Sequence, residues 1–111
     1  MYYISSSHLK DKKSAAYQKW LLSDEAKKLF AEVEKETGFK YVETFWPIMG
    51  LGEFSCEDWW EAPDWSSFDK ARESDAMDRL MTRFNELDFF DNNRPSETRV
   101  MRSTSDVKIW E

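Results

Sequence analysis

The sequence predicts an α+β fold whose elements follow one another in the order β-α-β-β-α-β. Short runs rich in β-branched and aromatic residues alternate with two long segments of helical periodicity. The two helical segments also share a faint repeat, because KWLLSDEAKKLF (19–30) and KARESDAMDRLM (70–81) are identical at four of twelve positions. This order is the ferredoxin-like arrangement, an antiparallel sheet with two helices on one face.

The first half of the chain begins with a strand and a long helix. The strand is predicted at Tyr2–Leu9, where rings and an isoleucine precede a weak alternation, and the helix at Ser14–Thr37, where apolar residues recur at helical spacing. Ser23 is followed by two acids and is a candidate N-cap, so the helix is expected to break or kink there. Gly38 suits the position after a helix, where a positive φ is needed.

The second and third strands are predicted to form a hairpin. The second strand is predicted at Phe39–Met49, and Pro47, which cannot donate to a ladder, places it at a sheet edge or ends it. The short turn GLG (50–52) leads into a third strand at Glu53–Glu61. Alternation assigns the second strand's side chains to two faces: Val42, Thr44, Trp46 and Ile48 on one, and Tyr41, Glu43 and Phe45 on the other.

The remaining segments repeat the pattern of helix and strand. The second helix is predicted at Trp65–Leu87, capped by Asp64 or Ser66, and the loop DNNRPSE separates it from a fourth strand at Thr98–Thr104. Asp106–Trp110 is either a short fifth strand or a tail that packs on a partner.

Charge and composition exclude several classes of function. The net charge is −6, and an aspartate interrupts the longest cationic cluster (10–13), so neither nucleic acid nor an anionic membrane is an expected partner. The sequence has no run of the roughly 18–20 apolar residues that span a membrane, and no signal-peptide pattern. Cys56 is the only cysteine, which excludes an internal disulfide. We expect one cytoplasmic domain, residues 1–111.

The aromatic content and the strand pattern predict a homodimer. Aromatic residues make up 16% of the chain, and each buries roughly 150–250 Å². Both helices cover one sheet face, yet the second strand carries rings on both faces, Trp46 on one and Tyr41 and Phe45 on the other. A sheet with two apolar faces needs a second cover. The simplest cover is a second copy of the chain, which gives a closed dimer through the open sheet face.

In these features the chain resembles the dimeric α/β-barrel proteins, which include small cofactor-independent monooxygenases, haem-degrading enzymes and many uncharacterised members. The resemblance covers nearly the whole chain and rests on length, element order and the passages ETGFKYVETFWPIMGLGEF and EDWWEAPDWSSFDKARES. It implies a ligand cleft between the sheet and the helices, and no cofactor. The haem-degrading members carry their ligand histidine on the second helix. Trp65–Leu87 has no histidine, which argues against haem.

Polar residues on the two central strands are the strongest local sign of a site. The first and third strands are central in this arrangement, yet they contain SSSH (5–8) and EFSCED (53–58). Burying such groups unpaired costs roughly 1–3 kcal/mol each, so they must be paired, hydrated or next to a cavity. His8, the only histidine, is a candidate general acid or base. Glu57 is its candidate catalytic partner, and Glu57 or Asp58 is expected to orient its imidazole. The alternative is a strand-end histidine bonded to backbone or water.

The segment EDWWEAPDW (57–65) holds three of the six tryptophans and supplies the candidate substrate-binding residues. Trp59 and Trp60 are neighbours on a strand and therefore point to opposite faces, one toward the cleft and one toward the dimer. Trp65, at the start of the second helix, is expected at the cleft rim or as a lid, and Asp58 is expected to contact the substrate. The alternative is that all three tryptophans are core residues.

Other candidates carry weaker signals. No metal site is predicted, because His8 and the carboxylates lack a ligand spacing such as H-E-x-x-H. Cys56 is expected to be a buried, inert thiol. Three arginines either meet an anionic substrate or balance the acidic surface in exposed pairs: Arg72, Arg99 and Arg102.

Two functional hypotheses follow. The first is a cofactor-independent oxidoreductase, monooxygenase-like, or an isomerase, acting on a small aromatic molecule in the cleft. In it, His8 and Glu57 move a proton and the tryptophans hold the substrate. The second is a non-catalytic module that binds a small molecule or has a structural role.

Overall fold

The computed structural model describes residues 1–106, which form four strands and four α-helices around one sheet. In chain order these are β1 (Tyr2–Ser7), α1 (Ser14–Leu21), α2 (Asp24–Thr37), β2 (Lys40–Phe45), β3 (Cys56–Glu61), α3 (Ser66–Glu73), α4 (Asp75–Leu87) and β4 (Glu97–Met101). The sheet is antiparallel with strand order β2-β3-β1-β4. The predicted ferredoxin-like α+β fold is confirmed, and β1 and β3 are the central strands.

Each of the two predicted long helices is divided into two shorter helices. In both cases an N-capping serine begins the second helix of the pair. Ser23 begins α2, where its Oγ accepts the backbone N–H of Ala26 at 3.2 Å. Ser74 begins α4, where its Oγ accepts the N–H of Met77 at 3.1 Å. The break at Ser23 was predicted and is confirmed. The break at Ser74 was not predicted, although the repeat places the same Ser-Asp step in both halves.

The turn after α2 has the predicted geometry. Gly38 has a φ of 85°, and its N–H bonds to the carbonyl of Glu34 at 2.8 Å. A Cβ at this position would lie 3.1 Å from the Oγ of Ser67, so the start of α3 packs closely on this turn. Asp64 precedes α3 and accepts the N–H of Ser66 at 2.8 Å, but the N-cap residue of α3 is Trp65, which makes no side-chain cap bond, so the prediction of Asp64 or Ser66 as the cap is wrong.

The strands are shorter than predicted. β2 ends at Phe45, two residues before Pro47, and residues 46–55 form the connection to β3, so the hairpin loop is longer than GLG. β1 ends at Ser7, after which Leu9 forms an isolated bridge to Phe90. β4 ends at Met101 rather than Thr104. Most of the predicted segment Asp106–Trp110 lies outside the described residues.

A β-bulge makes the predicted faces of β2 wrong at one position. The register between β2 and β3 shifts between Tyr41 and Glu43. Tyr41 therefore pairs with Trp60, and Thr44 pairs with Asp58, on the face that the helices cover. Strict alternation placed Tyr41 and Thr44 on opposite faces because it does not include the extra residue of a bulge.

The core is a cluster of rings between the helices and β2–β3. Phe30 of α2 stacks on Tyr41 with ring centroids 4.4 Å apart and meets Trp60 edge-on at 5.2 Å. The ring of Tyr17 in α1 contacts five other rings: Trp20, Trp46, Phe84, Phe89 and Phe90. Helices α3 and α4 pack mainly on α2 rather than on the sheet. This arrangement leaves space above β1. Within residues 1–106, no helix has the length and apolarity to cross a membrane.

Candidate functional site

A cavity of about 650 Å³ lies between the sheet and the second pair of helices. Its floor includes Tyr3, Ser5 and Ser7 of β1 and Asp58 and Trp60 of β3. Its roof comes from α3 and α4 and is mainly apolar: Phe68, Ala71, Met77, Leu80, Met81 and Phe84. This volume is in the range of cavities that hold small ligands, and its position is the predicted cleft.

Asp58 is the buried charged residue of this cavity, with 7% of its surface exposed. Both carboxylate oxygens accept the hydroxyl of Tyr17 at 3.0 Å, and Oδ1 also accepts the hydroxyl of Thr44 at 2.5 Å. The hydroxyl of Tyr41 lies 2.5 Å from the Oγ1 of Thr44. Two hydroxyl groups, one from α1 and one from β2, therefore bond to one carboxyl group of β3, and the hydroxyl of Tyr41 bonds to the second of them.

The direction of these hydrogen bonds follows from the number of protons. Thr44 has one hydroxyl proton and donates it to Asp58, so Tyr41 must donate to Thr44. Oδ1 then accepts two bonds, whereas Oδ2 accepts only the shared bond from Tyr17 among the residues that the structure describes. Oδ2 keeps the acceptor capacity that a ligand proton would need.

The environment of Asp58 tunes its proton affinity. Burial raises the pKa of Asp58 from 3.8 to about 6, and the hydrogen bonds from Thr44 and Tyr17 limit the increase. Burial, with Asp58 nearby, also raises the pKa of the Tyr17 hydroxyl, and burial raises that of Tyr41, so both remain protonated donors at neutral pH. Asp58 is thus a carboxylate at pH 7, and its pKa is near the pH at which it would act as a base.

The unusual polarity of the central strands is explained by this cavity and by one pairing. Ser5 lies opposite Asp58 in the register of β1 and β3, and Ser5 and Ser7 both line the cavity. Ser6 points to the opposite face, where its hydroxyl donates to Glu57 at 2.7 Å. The expectation that these groups are either paired or next to a cavity is confirmed.

The structure does not bring the predicted pair His8 and Glu57 together. His8 is buried and contributes to the cavity lining, but its ring lies against Phe54 with centroids 5.1 Å apart. Within residues 1–106 its imidazole has no hydrogen-bond partner. Glu57 lies on the open sheet face, bonded to Ser6 and to Arg99 at 2.6 Å. The carboxyl group that β3 presents to the cavity is Asp58, and catalytic roles for His8 and Glu57 stay predictions.

The three tryptophans of residues 57–65 occupy three different environments. Trp60 lines the cavity, and Trp59 lies on the open face against Phe45 and Tyr2. The predicted division of this pair between the two faces is confirmed. Trp65 is 56% exposed and packs on Phe68, which lines the cavity, at a centroid distance of 5.3 Å. Its role as a rim or lid residue stays a prediction.

Sequence reasoning missed the residues that hold Asp58. Tyr17 is one of the apolar residues that recur at helical spacing in the first helical segment, and its hydroxyl was the signal that it had a polar partner. Thr44 was placed on the wrong face relative to Tyr41 because the bulge was not foreseen.

Cys56 is fully buried and has no disulfide partner, and burial raises the pKa of its thiol, which fits the expected inert thiol. In the described range, no three His, Cys, Asp or Glu side chains form a group suited to a metal ion.

Comparisons with known proteins support the fold. No protein-family model and no curated protein matches the sequence. A crystal structure of protein Atu4242 from Agrobacterium tumefaciens is similar, with a TM-score of 0.63 and 19% identity over 92% of each chain. A second structure of Atu4242, described as a NipSnap family protein with unknown function, has a TM-score of 0.59 and 16% identity over 90% of this chain and 84% of the other. The chain shares its fold with Atu4242. At these identities the similarity concerns the fold alone.

Proposed function

We propose that the cavity binds a small aromatic molecule and that Asp58 removes a proton from it. The observation that carries the proposal is the single buried carboxylate in an aromatic cavity, held by Tyr17 and Thr44, in which Oδ2 accepts only the bond that it shares with Oδ1. A purely structural carboxylate in such a place would gain by pairing with a cation. No cation of the described chain bonds to Asp58.

The chemistry needs no cofactor. Asp58 takes a proton from an acidic C–H or O–H group of the ligand and becomes a neutral acid, a change that burial favours. Return of the proton to another carbon isomerises the ligand. Alternatively, a ligand anion reacts with dioxygen, as in the conversion of 1-naphthol to 1,4-naphthoquinone, in which one oxygen atom enters the ring and the other leaves as water. Both routes begin with the same proton transfer.

Tyr17 and Thr44 act as positioning residues in this proposal. Their donors stabilise the carboxylate form, which keeps the pKa of Asp58 at about 6 despite burial. They leave Oδ2 with fewer hydrogen bonds than Oδ1. Rings around the cavity, including Trp60 and Phe68, supply flat apolar surfaces for an aromatic ligand.

Deuterium exchange tests the proton transfer directly. Methyl phenylpyruvate has an acidic CH₂ group between its ring and its carbonyl, and it is uncharged. In D₂O the wild-type protein is expected to accelerate exchange of this CH₂ group, measured by loss of its ¹H NMR signal. Asp58→Asn is expected to reduce the accelerated rate at least about a hundredfold, because general-base catalysis typically contributes that much.

Controls separate this proposal from its alternatives. Glu57→Gln removes a carboxylate from the open face and is expected to leave the exchange rate unchanged. His8→Ala tests the predicted histidine: a large loss would give the imidazole a role in the exchange, and an unchanged rate would remove it. Dioxygen uptake with 1-naphthol tests the oxidative route. Exchange that survives Asp58→Asn would overturn the assignment of Asp58.

A non-catalytic function predicts a different result. The same probes would then quench the fluorescence of Trp60 on binding, without exchange or dioxygen uptake. Absence of binding by any probe would contradict both the enzymatic and the binding hypothesis and favour a structural role.

We also propose that two copies of the chain associate through the open sheet face. On this face the rings of Tyr2 and Phe45 each contact the ring of Trp59, and Ile4 is completely buried. Phe45 on β2 and Met101 on β4 are 48% and 46% exposed at opposite sides of the face. Exposed apolar side chains at both edges of one sheet face are typical of a surface that is covered in the assembly, and the polar side chains of this face, Ser6, Glu57 and Arg99, bond to one another.

Sedimentation analysis tests this association. The wild-type chain is expected to sediment as a dimer at micromolar concentration, and Phe45→Glu to sediment as a monomer with an unchanged circular dichroism spectrum. Leu22→Glu is the matched control, because Leu22 is 72% exposed but lies at the end of α1. A wild-type monomer at this concentration would contradict the proposal.

A further inference from the structure

The mouth of the cavity carries positive charge although the chain is acidic. The exposed residues of the lining mark this mouth: Arg72, Met81, Asn85, Asn92, Arg94 and Ser96. Two of them are arginines, whereas the net charge of the whole chain is −6. Asp91 is the acid of the lining nearest to them in sequence, and its Oδ1 accepts the N–H of Asn93 at 3.1 Å.

These two arginines differ from three of the other four arginines of the described chain. Arg79, Arg83 and Arg99 each contact a carboxylate at 3.5 Å or less. Arg72 has only a longer contact of 3.8 Å with Asp69, and both of these side chains are more than three-quarters exposed. Within residues 1–106, no ion pair involves Arg94. Their charge is therefore available to a ligand.

The turn before β4 fixes the backbone of Arg94 at the mouth. The N–H of Asp91 donates to the carbonyl of His8 at 2.8 Å, and the N–H of Arg94 donates to the carbonyl of Asp91 at 3.3 Å. These bonds tie residues 91–94 to the end of β1. A side chain that starts from an anchored backbone loses less freedom when it binds a ligand.

The interior of the cavity determines how an anionic ligand must lie. A ligand anion beside Asp58 would place two negative charges together in a buried site, which is unfavourable. The cavity lining also includes aromatic and aliphatic side chains, among them Phe68, Leu80 and Phe84. An anionic group is therefore disfavoured at the floor and favoured at the arginines, while a flat apolar body fits between them.

From this arrangement we infer that the ligand is a small aromatic acid, whose anionic group meets Arg72 and Arg94 and whose acidic C–H or O–H group reaches Asp58. The inference rests on the proposed function and adds the charge and the orientation of the ligand. Recognition of a carboxylate by arginine is charge-assisted and directional.

A matched pair of probes tests the inference. 6-Hydroxy-2-naphthoate has its carboxylate and its acidic O–H group at opposite ends of a flat ring system. It differs from its methyl ester mainly in one negative charge, and the dissociation constants of both can be measured by calorimetry at low ionic strength. The wild-type protein is expected to bind the acid about tenfold more tightly than the ester. The double variant Arg72→Gln/Arg94→Gln is expected to lose this preference, and added salt is expected to weaken it.

Lys27→Gln/Lys28→Gln is the control, because it removes two positive charges from exposed positions of α2 outside the cavity. It is expected to retain the preference for the acid. Equal affinity for acid and ester, or a preference that survives loss of both arginines, overturns the inference. If methyl phenylpyruvate still exchanges through Asp58, the proposed function stands without it. If neither naphthoate probe binds and methyl phenylpyruvate does not exchange, both are overturned.

Discussion

Asp58→Asn is expected to make the protein more stable at pH 8 by up to about 3 kcal/mol, and to leave its stability near pH 4 almost unchanged. The pKa of Asp58 is 3.8 when unperturbed and about 6 in the folded chain. Between these values the folded state binds more protons than the unfolded state, so wild-type stability falls as the pH rises. Above pH 6 the full cost of about two pKa units is present. Asparagine has the same shape and no charge to bury.

Urea unfolding of both proteins from pH 4 to pH 8 measures this effect, because the difference between them isolates Asp58.

Glu36→Gln is a control of opposite sign. The N–H of Ala76 and the hydroxyl of Ser74 lower the pKa of Glu36, so its charged form stabilises the folded state. Glu36→Gln should therefore become less stable than wild type as the pH rises. A pH-independent difference for Asp58→Asn would contradict the environment described for Asp58. If Asp58→Asn is more stable than the wild type, the proposed proton acceptor lowers the stability of the folded protein, as functional residues often do.

Tyr17→Phe is expected to lower the free energy of unfolding at pH 8 by about 1–3 kcal/mol. The phenylalanine ring keeps the contacts of Tyr17 with its neighbouring rings and removes only the hydroxyl that donates to both oxygens of Asp58. Loss of this donor should also raise the pKa of Asp58 above about 6. The fall in stability with pH should then extend to higher pH than in the wild type.

A double-mutant cycle with Asp58→Asn isolates this bond, since a hydrogen bond to a charged acceptor is worth more than one to a neutral acceptor. Tyr17→Phe should therefore cost less in the asparagine background. Tyr41→Phe is the matched control, because Tyr41 donates to Thr44 and does not touch Asp58. Equal losses for Tyr17→Phe in both backgrounds would show that its hydroxyl is not coupled to the charge of Asp58.

Several features of the fold follow from the sequence alone, because they depend on neighbouring residues. The order of strands and helices, the N-cap at Ser23 and the left-handed turn at Gly38 are local properties of the chain, and the structure has all three. Alternation along a strand also determines that Trp59 and Trp60 point to opposite faces. The polar residues of the central strands indicated groups that are paired, hydrated or next to a cavity, and the resemblance implied a cleft between the sheet and the helices.

The tertiary structure alone determined which side chains form the site. Alternation separates Glu57 from Asp58 but does not state which of them faces the helices. That choice depends on the packing of α1, which brings Tyr17 to Asp58 from 41 residues away in the chain. The bulge in β2 likewise sets Tyr41 and Thr44 on one face through pairing with another strand. Contacts between distant segments depend on how whole elements pack, and local sequence patterns do not contain that information.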